Sequence, residues 1–128
     1  MKDGISGIGL AASLAPAVVS ANGNGTAVDL RDFNMATLIV NTGAIVSAGD
    51  YSVKIQESDT TTSGDFADVG ADGLLGSLPA TLAENSVYKQ GYVGNKRYVR
   101  AVITKAGGTS IAAGAVFVLG EPYDAPVA

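Results

Sequence analysis

The 128-residue chain contains no cysteine, no histidine and no tryptophan. Without cysteine there are no disulfides, no thiolate nucleophiles and no thiolate metal sites. Without histidine the usual general base is missing, and with it the Ser-His-Asp triad and the commonest ligand for zinc, copper or haem. Charge is scarce too, at 16% of residues, with 8 Lys and Arg against 12 Asp and Glu for a net charge of −4. What is abundant is small and apolar: 17 glycines and 47% hydrophobic residues. Disordered chains combine low hydrophobicity with high net charge, so this composition describes a folded body. The length fits one domain, able to hide roughly two-thirds of its unfolded surface.

The acidic balance argues against nucleic acid as a partner, since nucleic-acid binders carry a basic excess or stripe. The one basic cluster is Lys96, Arg97 and Arg100, with Lys89 and Lys105 nearby. Arg97 and Arg100 fall on opposite faces of a strand, which favours solvated strand edges over a phosphate site.

The N-terminal stretch from Ile5 to Ala21 has the outline of a weak signal peptide ending in Val19-Ser20-Ala21. It is rich in Gly and Ala, and the single preceding Lys2 is offset by Asp3. A membrane span needs about 20 strongly apolar residues, and Pro16 interrupts this weaker run. The reading is a retained arm over residues 1–15. Its Gly7-x-Gly9-x-x-Ala12 matches the dinucleotide fingerprint formally, but six residues leave no room for the buried strand that must precede it.

From Pro16 onward short apolar runs alternate with Gly, Asn, Asp, Ser and Thr, the pattern of an all-β sandwich or barrel. Strands are expected at Ala17–Ser20, Thr26–Leu30, Met35–Asn41, Tyr51–Glu57, Phe66–Val69, Ser86–Tyr92, Arg97–Lys105 and Ala115–Leu119. Asn22-Gly23-Asn24-Gly25 reads as the strongest turn. Met35–Asn41 is apolar on both faces, which places it centrally and covered on both sides. In Tyr51–Glu57, Tyr51, Val53 and Ile55 point inward by alternation, and Phe66 and Phe117 also read as core. Ser58–Asp65 is a polar, exposed loop. The segment 70–85 has leucines near helical spacing, but Gly76 and Pro79 limit it to a loop with at most one helical turn. The expected architecture is a single-domain, jelly-roll-like β-sandwich of about eight strands over residues 16–119. An extended tail occupies residues 120–128.

Carboxylates remain available for catalysis, but Glu57, Asp59, Asp65, Asp68 and Asp72 lie beside loops and glycines, where Asp supports turns. Asp65, Asp68 and Asp72 also lack the spacing of an EF-hand calcium loop. The expectation is no catalytic residue, no cofactor and no metal. Tyr88, Tyr92, Tyr98 and Tyr123 are possible sugar-stacking platforms, although Tyr on strands more often packs or lines interfaces.

Several segments carry a family resemblance. They are Val53–Asp59 with Phe66–Val69, and Gly91–Arg100. Ala15–Val19 with its following Asn-Gly turn, Val28-Asp29-Leu30, and Gly120–Pro126 add to them. In order and spacing these resemble small structural proteins of tailed bacteriophages and prophages, over roughly residues 14 to 126. The resemblance implies a non-enzymatic virion component, a decoration or cement protein on the outer head surface, assembled in the bacterial host cytoplasm. The implied partners are the major capsid protein and further copies of the chain, as a homotrimer or homodimer, with neither nucleic acid nor membrane. Interface candidates are Ile5, Ile8, Leu10 and Leu14 in the arm, Tyr88, Tyr92 and Tyr98 on strands, and Pro122 and Tyr123 in the tail. A neck or tail location, and a carbohydrate-binding module, stand as alternatives.

Overall fold

A computed structural model describes residues 8–31 and 33–122, with Asn34, Glu121 and Pro122 described by their backbone alone. Ten strands form two antiparallel sheets: β1 (Ile8–Val19), β2 (Gly23–Asn24), β3 (Val28–Asp29), β4 (Phe33–Val46), β5 (Asp50–Ser58), β6 (Ala67–Asp68), β7 (Leu74–Leu75), β8 (Val87–Tyr92), β9 (Tyr98–Gly107) and β10 (Ser110–Pro122). One sheet has the order β1-β10-β4-β8-β7 and the other β2-β9-β5-β6, with β3 also on β9. β2 and β3 pair successive stretches of β9, so they act as two halves of one broken strand. Counting them once, and β7 as an addition beside β8, the principal strands run 1-8-3-6 facing 2-7-4-5, the order of a jelly roll. The expected β-sandwich is therefore present.

The core lies between the sheets and follows from period-2 alternation. Tyr51, Val53 and Ile55 on β5 are buried, facing Leu38 and Val40 on β4 and Phe117 on β10. Each such side chain contributes about 1.5–3 kcal/mol when fully buried. Leu82 seals one end, where its N–H donates to the Tyr51 carbonyl at 2.8 Å and pins the long 76–86 connection. Thr42 holds the same connection, its Oγ1 donating to the Ala83 carbonyl at 2.6 Å and accepting from Ser86 N–H at 2.9 Å.

Several local expectations are revised. Residues 8–15 are not a separate arm: they form the first two-thirds of β1, paired with β10 from Ile8↔Gly120 to Leu14↔Ala115. The lower boundary of the tail likewise falls inside β10, which continues to Pro122 opposite Phe33. Asn22–Gly25 is no hairpin turn. The chain crosses here between the sheets, Gly23 and Asn24 pairing with Ile103 and Val102, while Asn22 Oδ1 accepts from Lys105 N–H at 2.7 Å. Gly25 is needed for close approach, because a Cβ there would lie 2.6 Å from the Ala101 carbonyl oxygen. Phe66 is not core. It sits half-buried on the outside of the second sheet, where the Arg100 guanidinium stacks over its ring at 4.3 Å. In the 70–85 segment a 3-10 turn, Ala71–Gly73, precedes β7.

Candidate functional site: an uncovered apolar sheet face

The two outer faces of the sandwich differ in chemistry. β5, β6 and β9 carry Asp50, Lys54, Glu57, Asp68, Arg100 and Lys105. β1, β4, β8 and β10, although longer, carry two charged residues, Lys89 and Glu121. In β10, Ile111, Ala113, Ala115, Phe117 and Leu119 face the core, so Ala112, Gly114, Val116 and Val118 face outward. Register then sets Val116 between Ala12 of β1 and Ile39 of β4, and Val118 between Leu10 and Thr37. The next strand adds Val87, Lys89 and Gly91 opposite Asn41, Ile39 and Thr37.

This face is open. Leu10 is 70% exposed, Val18 72% and Val87 67%, and Ile8, Met35 and Leu75 are exposed with them. A groove of about 410 Å³ opens on it where β1 bulges away from β10 between Leu14 and Ala17. Small residues make its floor, Gly43, Ala112 and Gly114, while Pro16, Val18 and Ile39 stand along its sides. Gly114 packs close under Pro16, where an added Cβ would lie 3.1 Å from the Pro16 Cα.

A second hollow, of about 460 Å³, lies near one end of the sandwich and contains most of the basic cluster. Lys96, Arg97 and Asp59 of its lining are engaged within the chain, and the exposed Arg31 also lines it. Lys96 Nζ lies 2.9 Å from Asp59 Oδ2, and the Arg97 guanidinium donates twice to Asp29, through Nε at 3.1 Å and Nη2 at 2.9 Å. The Tyr92 hydroxyl donates to Glu57 Oε1 at 2.8 Å and accepts from Lys96 N–H at 3.0 Å. Burial raises the Tyr92 pKa, and the Glu57 bond adds to it. The Arg97 hydrogen bond holds Asp29 below its ordinary carboxylate value, and the Asp59 bond raises Lys96. Arg100 lies outside this hollow, nearly buried, donating to Gln56 Oε1 at 2.8 and 3.0 Å and to Ser63 Oγ at 2.9 Å. Asp68 accepts from Gln56 and Lys54 and is lowered by both, Gln56 most. Among the described residues no group of three or more acidic side chains is placed to hold a metal ion.

The interface candidates from sequence scatter. Ile8 and Leu10 lie on the open face, whereas Leu14, after an earlier register shift between Ala12 and Leu14, turns inward against the core. Tyr92 is 3% exposed and offers a partner nothing. Tyr88 is half-buried, its hydroxyl accepting from Ala83 N–H at 2.9 Å. Tyr98 is half-buried with the Arg97 guanidinium 5.0 Å from its ring centroid. The described tyrosines therefore form no exposed platform. Pro122 is described by backbone alone, and Ile5 and Tyr123 lie outside the described residues. Sequence reasoning missed Val18, Met35, Val87 and Val116. The available signal was the double-sided apolar pattern of Met35–Asn41: β4 is indeed central, yet within this chain it is covered on one side.

The fold is similar to that in the crystal structure of the SPBc2 prophage-derived protein YomS, with a TM-score of 0.54 over 89% of this chain and 95% of that one, at 10% sequence identity. At that identity the likeness concerns the fold. No family model matches the sequence, and no curated protein matches it.

Proposed function

We propose that the chain is a non-enzymatic structural protein of a phage or prophage virion, acting as a decoration protein on the outer surface of the head. The observation that carries this reading is the open apolar face on one sheet, set against the charged outer face of the other. Monomeric proteins rarely expose so large an apolar patch, and when they do it marks a contact surface. The fold shared with a prophage-derived protein and the sequence resemblance to phage structural proteins supply the setting. On a symmetric shell many weak contacts add through effective concentration, so a small, rigid protein stabilises the particle without tight single-site binding.

The test is to quantify the protein in purified particles against the major capsid protein, and to sediment the pure protein with heads that lack it. Head decoration gives hundreds of copies per particle and saturable binding to heads. A stoichiometry of about a dozen or fewer, as at the symmetry of a single vertex or tail, moves the protein to the neck or tail.

A further inference from the structure

We infer that the outer face of the β1-β10-β4-β8 sheet is covered by the same face of a second copy of this chain, making a two-fold dimer. The inference rests on the reading of the chain as a contact protein and names what the open face meets.

Three observations point to a second copy. The first is sequence-encoded. β10 is apolar or small on both faces, and β4 carries Met35 and Ile39 outward beside Thr37 and Asn41, close to the pattern of strands buried on two sides, but within the chain a single side is covered. The second is size. With strands ~4.8 Å apart and ~3.4 Å per residue, β1, β10 and β4 over nine residue steps and the six-residue β8 present a projected area of roughly 500 Å². Upright side chains raise the accessible area further, towards the about 800 Å² that each partner contributes to a standard stable interface.

The third is charge and relief. The chain as a whole carries −4, so two copies repel in most orientations. The outward positions described on these four strands hold one ionisable side chain, Lys89 on β8, so the two faces meet without a cluster of like charge. The face also bears both a hollow and projections. The groove floored by Gly43, Ala112 and Gly114 sits toward β1, and Val87 and Leu75 project from the opposite margin. A two-fold contact needs one surface that supplies both halves of each interaction, with residue i meeting j and j meeting i.

Sedimentation velocity on the full chain across the micromolar range decides the question, with Val116→Lys at the middle of the face and Leu10→Glu at its margin. Both side chains stand outward, and circular dichroism verifies that each variant keeps the fold. The expected result is a concentration-dependent dimer for the wild type, weakened at least tenfold by either variant and unchanged by Lys54→Ala on the opposite sheet. A wild-type monomer, a trimer, or a dimer indifferent to both face variants overturns the proposal. So does a monomer whose binding to heads is abolished by Val116→Lys, which gives the face to the capsid protein. Head binding by the wild type, measured separately, tests the decoration reading whichever way the dimer falls.

Discussion

Ser13 joins the two sheets through its side chain. It lies at the first register shift of β1, between Ala12 and Leu14, where its Oγ donates to the Thr26 carbonyl at 2.9 Å and accepts from Ala101 N–H at 2.9 Å, while its own carbonyl accepts from Thr26 N–H at 2.7 Å. Ser13→Ala keeps the volume but strands the buried Ala101 N–H and loses the bond to the Thr26 carbonyl. The expected loss is about 1–3 kcal/mol, read as a lower urea midpoint with unchanged slope. Asp29 sets a second residue-scale expectation. Folding lowers its pKa from the ordinary 3.8, so the folded state binds the proton less tightly than the unfolded chain does. That stabilisation is complete above pH 3.8 and is lost as pH falls through the lower, folded value; Asp68 adds to it in the same sense. Both carboxylates are partly exposed, so each is worth no more than about a few tenths of a kcal/mol. Asp29→Asn should flatten the acid limb of stability against pH, and the difference from wild type should shrink in high salt. Neither role was legible in the sequence. Ser13 reads there as one small residue in a Gly- and Ala-rich run, and Asp29 as a strand-end acid, because their partners Ala101 and Arg97 are distant along the chain.

At the scale of elements, what the sequence disclosed depended on how local the signal was. Tyr51–Glu57 alternates so cleanly that its inward residues could be named, and Tyr51, Val53 and Ile55 are all buried. Asn22–Gly25 misled, since the residues that favour a tight turn also suit a crossing between sheets where backbones come close. β1 misled in the other direction. Its small residues carry little strand propensity, yet β10 supplies nine paired positions and tertiary pairing overrides the weak local preference. This changes what a truncation means. Deleting residues 1–7 removes none of the described strand and should leave the melting temperature of the sandwich close to wild type. Deleting residues 2–14 takes seven residues of β1, Ser13 among them, and should unfold the domain or lower its melting temperature by ten degrees or more, on the order expected for about 2 kcal/mol in a domain this size. An arm contacting the particle is therefore tested with the shorter deletion alone, as reduced head binding by a fully folded protein.

For the whole molecule, the decisive feature is the inequality of the two outer faces. The outer face of the β9-β5 sheet carries Lys54, Gln56 and Asp68 tied together by hydrogen bonds, with Arg100 nearly buried among them. The β10-β4 sheet presents aliphatic side chains and a small-residue groove. A jelly roll places the first and last strands side by side, so β1 extends this apolar sheet with four more outward residues, Ile8, Leu10, Ala12 and Val18. Assembly through one face then leaves the ionic face of the other sheet directed away from it.

The sequence by itself determined that the chain is all β, which residues alternate within its clearest strands, and that no histidine, cysteine or tryptophan serves a site. Those properties are local or compositional, and period-2 alternation needs no knowledge of the partner strand. Only the tertiary structure decided which of the two apolar sides of β4 and β10 became the core, that the basic cluster is engaged by Asp29, Asp59, Gln56 and Ser63, and that Ser13 joins the sheets. Those outcomes rest on pairings between residues far apart along the chain, Ser13 and Ala101 among them, 88 positions apart. A strand that is apolar on both sides carries no information about which side its own chain will cover, because that choice is made by the register of every other strand in the sandwich.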